Sequence, residues 1–240
     1  METRYRTFQE YEAADRRRDR FRAAVPDPDR RRTLLRQFVR ACLEPAEREL
    51  LALTPADDRP DPPSDPAEAL GASLDALFAF VSRERGLGVA DIGALSARWN
   101  GGTAFRQHAA ADLLDPVPAP DPATLEGLLA NSLDWFGVGS VMMMHPVEKC
   151  NLLTIRLADL RPFPAWNFGL VRLVPWYFLV QADFPPPLLT AADAPAWRAA
   201  LALGRELRTQ PLAELHRRAV ERAWESFVFF GLEHFPEIQL

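Results

Sequence analysis

The residues of this 240-residue chain best suited to chemistry gather in one stretch, Arg161-Pro162-Phe163-Pro164-Ala165-Trp166-Asn167-Phe168-Gly169-Leu170-Val171-Arg172. Arg161, Asn167 and Arg172, with Arg106 upstream, supply guanidinium groups and an amide, donor types that can hold a phosphorylated ligand. The stretch has no general base, because a guanidinium stays protonated in proteins. It also has no carboxylate, the oxygen ligand that Mg2+ wants. Of the four histidines, His216 and His234 lack spaced Cys, His or acidic companions, so no metal site is predicted. His145 precedes Pro146 and reads as a structural helix start. Lys149 is the sole lysine, and no Gly-x-x-x-x-Gly-Lys-Ser/Thr string, Gly-x-Ser-x-Gly or His-Glu-x-x-His occurs.

With its flanks, this stretch resembles the signature of the Fic/Doc (Fido) family, His-Pro-Phe-x-Asp/Glu-Gly-Asn-Gly-Arg-x-x-Arg. Pro162, Phe163, Asn167 and Arg172 agree with it. His145-Pro146 lies sixteen residues upstream, where many family members carry His-Pro. Downstream, Phe184-Pro-Pro-Pro187, Ala196-Trp-Arg-Ala-Ala-Leu201 and Gln210-Pro211-Leu212 are similar to the family's Gly-x-Pro-Pro, Tyr-x-x-Ala-Leu and Asp-x-x-Pro-Leu. Upstream, Gly101-Gly102-Thr-Ala-Phe105-Arg106 resembles the segment before the family's target-binding flap, which would carry Phe105, Arg106 and His108. The resemblance covers residues 68 to 230.

It implies a protein that transfers AMP from ATP to a target hydroxyl, with the histidine as base, the acid on Mg2+, Gly-Asn-Gly cradling phosphates and arginines neutralising the pyrophosphate. Here the histidine position is Arg161, the acid is Ala165, the two glycines are Trp166 and Phe168, and the first arginine is Gly169. Losing a general base alone costs about 10²–10⁴ in rate. The two rings would lie where phosphates approach the backbone closely. The family's inhibitory motif, Ser/Thr-x-x-x-Glu-Gly/Asn, is absent; Ser82-Arg-Glu-Arg-Gly86 does not satisfy it.

Two apolar runs must position the loop. Val147, Cys150, Leu153, Ile155, Leu157 and Leu160 mark a helix leading in, and Leu170 to Val180 is nearly all apolar, a buried helix that Pro175 should kink or else end. Residues 4 to 53 are charge-dense and give two amphipathic helices, the second starting at Asp27-Pro28, with the arginine runs read as solvated faces. Thr54 to Asp65 is Pro-rich and polar and reads as an exposed linker. Asp65-Pro66 and Asp121-Pro122 start further helices, residues 103 to 114 a hairpin or irregular flap, and 194–208 and 212–230 two last helices with a turn at Gln210-Pro211. The expectation is a mainly α, Fic-like (Fido) helical bundle with a small β-hairpin or irregular flap. Its predicted parts are a helical segment at 1–53, a linker at 54–65 and a Fic-like domain at 66–240.

A net charge of −5 gives no nucleic-acid footprint. No charge-free apolar stretch of eighteen residues and no signal-peptide core appear, so no membrane partner is expected and the cytoplasm is the expected compartment. Cys42 and Cys150 fit two buried free thiols. The expected function is a Fic-like protein that has lost AMP transfer, needs no cofactor and acts through a protein partner, with the flap edge at Phe105 to His108 as one docking place. The alternative is a divergent transferase, using ATP and Mg2+, that holds a phosphorylated ligand through Arg161, Asn167, Arg172 and Arg106.

Overall fold

The computed structural model describes residues 11–59, 65–83, 85–102, 105–108, 119–236 and 238. Helices form where local chemistry can satisfy their first N–H groups. Asp27, Asp65 and Asp121 each accept the backbone N–H two residues on, at 3.0, 2.9 and 2.9 Å, with proline next in sequence. These caps open α2 (Pro28–Phe38), α4 (Pro66–Val81) and the turn that leads into α6 (Leu125–Trp135). α1 (Glu12–Ala24) precedes them, and α2 runs through a wide turn at Val39–Leu43 into α3 (Glu44–Leu51). Pro45 lies just past that turn, and a π-type turn is one way a helix absorbs a proline that cannot bond the carbonyl four residues back. α5 (Val89–Asn100) ends at Gly101, whose φ of 67° is a left-handed cap.

After α6 come the short α7 (Gly139–Met142), α8 (Pro146–Leu160), α9 (Asn167–Leu173), α10 (Trp176–Gln181), α11 (Ala194–Arg205) and α12 (Gln210–His234). α8 is the hub, packed on α6, α9, α10, α11 and α12. No strand occurs among the described residues. Of the expected hairpin or flap, Phe105 to His108 are described and irregular; residues 103, 104 and 109–114 lie outside the described residues.

Of the two effects expected of Pro175 the structure has the second: α9 ends before it, and α10 starts again at Trp176. Pro211 falls in the first turn of α12, where its missing N–H costs nothing, so α12 starts at Gln210. Cys150 is buried but Cys42 only half-buried, and both are free thiols. No described helix is long and apolar enough to cross a membrane.

The N-terminal helices share one hydrophobic core with the rest of the chain. Phe21 meets Trp224 and Phe227 edge-on at 5.9 and 5.1 Å, and Phe38 meets Phe227 and Phe230 at 5.1 and 5.8 Å. Several arginines of the N-terminal helices, Arg31 of an expected solvated run among them, reach across the fold. Arg22 and Arg31 both pair with Asp183, at 2.7 and 3.1 Å, and Arg36 and Arg40 both pair with Asp75, each at 2.7 Å. His145 caps α8 by accepting the Val147 N–H on Nδ1 (3.2 Å), stacks on Tyr11 at 4.0 Å and turns Nε2 to Asp15 at 3.3 Å. Burial holds its pKa below the usual value, against the pull of Asp15, which keeps Nδ1 free to accept. Within the expected linker, Thr54 and Asp58 are buried, because the segment turns inward onto the loop before α9.

A chain starting at Asp65 would leave Phe227, Phe230 and Trp224 without their α1 and α2 partners. We expect it to aggregate or to melt without cooperativity. A monomeric fragment with a sharp melt would restore residue 66 as a domain edge.

His216 is buried on α12, with Nδ1 unpartnered and its pKa pushed down to about 4 by burial. Between pH about 6.5 and about 4 the unfolded chain binds a proton there that the native state refuses, so stability drops as pH is lowered, by about 1.4 kcal/mol per unit. Denaturant melts at pH 7 and pH 5 should show wild type losing about 2 kcal/mol more than His216→Leu. Equal losses would mean that His216 does not titrate in this window.

Candidate functional site

The 161–166 loop joins α8 to α9 through left-handed backbone at both ends. Arg161 closes α8 with φ 43° and its N–H on the Leu157 carbonyl (2.8 Å); Trp166 opens α9 with φ 61°. Left-handed backbone costs a residue with a Cβ roughly 1–2 kcal/mol. Trp166 therefore keeps a conformation that suits the glycine of the family pattern.

Asn167 ties the loop across itself. Its Oδ1 accepts the Phe163 N–H at 3.1 Å and its Nδ2 donates to the Phe163 carbonyl at 3.0 Å. Phe163 is fully buried beneath the loop. Arg106 holds the loop's other end. Its Nε donates to the Arg161 carbonyl at 2.8 Å, its guanidinium reaches the His108 carbonyl at 2.8 Å, and its backbone N–H donates to the Pro162 carbonyl at 2.9 Å. A cation on the last carbonyls of α8 also suits the negative end of that helix. Burial and the neighbouring Arg161 guanidinium lower the Arg106 pKa.

Asp58 completes the loop, and the sequence reading missed it. Its carboxylate accepts the N–H of Asn167 (2.9 Å) and Asn167 Nδ2 (3.0 Å) on Oδ1, and the N–H of Phe168 (2.7 Å) on Oδ2. Its backbone carbonyl takes the Trp166 N–H at 2.7 Å. The chain thus lays its own anion on the N–H groups that start α9. Burial pushes the Asp58 pKa up, and the three donated hydrogen bonds oppose that shift. Only an acidic residue inside a Pro-rich stretch hinted at this contact, and nothing local connects it to a loop 109 residues away.

Arg172 points to a second carboxylate. Asp159 and Asp193 are taken by Arg205 and Arg222. Arg172 instead pairs with Glu47 of α3 at 2.9 Å, with both side chains buried, donates to the Phe168 carbonyl at 2.8 Å and lies over the Phe168 ring at 4.4 Å. Phe168 is buried edge-on to Trp197 at 5.5 Å and belongs to the core, while Trp166 is buried beside Trp99 at 5.5 Å and also lines a pocket of about 260 Å³ with Leu51, Arg59 and Pro66. Around Phe168, Arg172 and Trp197 no room is left for a water molecule. A Cβ on Gly169 would stand 2.6 Å from Leu51 Cδ2 of α3, so α3 occupies the space that an arginine there would need.

Arg161, Pro162, Ala165 and Asn167 are all buried in the turn, while of the flap residues Phe105 is half-buried, Arg106 buried and His108 exposed. No group of three or more His, Cys, Asp or Glu converges among the described residues. The residues present do not fit a Mg2+ ion at this loop. Ala165 brings no oxygen side chain, and both oxygens of Asp58 are committed to N–H donors.

No family model matches the sequence. Solved structures do match the fold. Fic-1 of C. elegans (residues 134–508) superposes with a TM-score of 0.65 at 16% identity, over 91% of this chain and 73% of that one. A Fic-domain-containing signaling protein of Bacteroides thetaiotaomicron gives 0.65 at 14% identity, over 89% and 96%. A Fic family protein of Desulfovibrio desulfuricans gives 0.57 at 15%, over 95% and 71%. At such identities the likeness speaks for the backbone alone, and by its backbone this chain has the all-helical Fic (Fido) fold.

Proposed function

We propose that this chain is a Fic-fold protein without AMP-transfer activity that works by binding another protein. The observation that carries the reading is the Asp58 carboxylate on the N–H groups of Asn167 and Phe168. The resemblance puts phosphates at the start of that helix, and here the chain supplies its own anion. The chemistry is also missing beside it, since Arg161 cannot accept a proton and Ala165 cannot hold a metal. The divergent-transferase alternative has less support. Arg172 is neutralised by Glu47, Asn167 is spent within the loop and on Asp58, and Arg106 is spent on carbonyls. The similar Bacteroides protein is described as a signaling protein, and a regulatory role for this chain accords with that description.

Mg–ATP at millimolar concentration should leave the melting temperature unchanged. A ligand at 100 times its Kd would stabilise by about 2.7 kcal/mol, a rise of several degrees for a chain of this size. Such a rise would overturn the reading and favour the transferase.

Asp58→Ala strips the first N–H groups of α9 of their acceptor. Hydrogen bonds to a charged group contribute about 1.5–3 kcal/mol and a helix cap about 1 kcal/mol, so denaturant melts should show a loss of about 2–4 kcal/mol. Asp58→Asn, which keeps one acceptor oxygen, should fall between that variant and wild type. A loss near zero for Asp58→Ala would mean that the carboxylate does not hold the loop.

A further inference from the structure

A second stripe of α8 lines a pocket that shares no residue with the loop. Val147, Cys150, Leu153, Leu157 and Leu160 face the core. Leu152, Ile155, Arg156 and Asp159, spaced three and four apart, face α6 instead, and with Trp135 and Phe136 they enclose about 390 Å³. That volume lies at the small end of the roughly 300–1,000 Å³ typical of small-molecule sites. Ile155 and Phe136 are buried, Leu152 is half-buried, and the Trp135 ring at the mouth is 45% exposed.

One end is polar and built. Arg156 Nε donates to Ser132 Oγ at 2.8 Å, and Ser132 in turn donates to the Leu128 carbonyl at 2.6 Å. This fixes the guanidinium by its inner nitrogen. Its two Nη groups have no protein partner among the described residues, although most arginines here are paired. Asp159, one turn on, is engaged by Arg205 at 2.6 Å. Arg156, Asp159 and Arg205 together leave one uncompensated positive charge at the pocket's end.

We propose that this pocket binds a small monocarboxylate with an aromatic body. The free Nη edge matches a carboxylate in the two-bond fork that guanidinium favours. A single spare charge suits a monoanion better than a polyphosphate. The apolar walls and the exposed indole take the ring, which would cover Trp135 in an offset or edge-on contact.

The test uses the full chain with 2-naphthoate as probe and 2-naphthylmethanol as its neutral counterpart, followed by calorimetry and by NMR of the Trp135 indole. Saturable one-to-one binding of naphthoate is expected, at least tenfold tighter than of the alcohol. Arg156→Gln should erase that preference, and Arg156→Lys, which keeps a charge but not the fork, should retain only part of it. Leu152→Trp fills the pocket from its half-buried wall and should abolish binding while circular dichroism stays unchanged. No saturable naphthoate binding to wild type would overturn the proposal. So would an equal affinity for the alcohol, or an Arg156→Gln chain that folds and binds naphthoate undiminished.

Discussion

A buried helix start needs acceptors for its first N–H groups, and at α9 no side chain of the adjoining loop supplies them. Asn167 is spent on Phe163, and the nearby Asn100 turns its amide to the Ala165 carbonyl at 3.4 Å. The start of α9 lies at the centre of the fold, so water cannot serve either. The acceptor therefore comes from far away in sequence. Asp58 brings its carboxylate down onto Asn167 and Phe168, and to reach them α3 and the following turn must lie across the loop. From that placement follow the Leu51 contact that holds residue 169 to glycine and the buried Glu47–Arg172 pair. Both need α3 in the same place. A buried ion pair adds little stability over an apolar one, but removing either charge alone costs about 3–5 kcal/mol. Glu47 and Arg172 thus work chiefly to fix where α3 sits.

The same constraint accounts for the architecture at the N-terminus. With α3 pinned to α9, α1 lies along α12 and α2 along α4, and Phe21 and the last residue of α2, Phe38, complete the aromatic face of α12. The arginines of these helices then find fixed acids on distant elements, Asp183 and Asp75, as well as on their own turns. Surface ion pairs contribute little each. Arg31 and Asp183, with 13% and 9% of their side chains exposed, are sheltered enough to matter more.

What the sequence made legible was the chemistry that is local. Asp27, Asp65 and Asp121 cap helices through atoms two residues away, and each could be read from its own neighbourhood. The apolar runs of α8 to α10 and the loop between them could be read for the same reason. Prolines were ambiguous because their effect depends on where in the helix they fall. Pro175 broke a helix, and Pro211 sat harmlessly in a first turn. Contacts between distant segments left almost no trace. Asp58 lies in a stretch whose composition reads as a tether, and Glu47 is one acid among many in a charge-dense helix. The clue that existed was Gly169, a glycine in an otherwise bulky buried run. A glycine there marks close approach by another element, and that element was α3.

Which motif positions survive is itself informative. Phe163 fills the space under the loop, Asn167 closes it, and Arg172 answers Glu47. Each has work to do inside this fold, with no ligand required. The positions that differ are those whose side chains would act on a nucleotide, namely Arg161, Ala165 and Gly169, together with the two glycines that let phosphates approach. Trp166 takes the left-handed backbone of a glycine while burying its ring against Trp99, so the loop follows a glycine's path without a glycine. Packing within this chain accounts for the first set. At the second set, Trp166 packs on Trp99, Phe168 packs on Trp197, and the Leu51 side chain of α3 stands against Gly169.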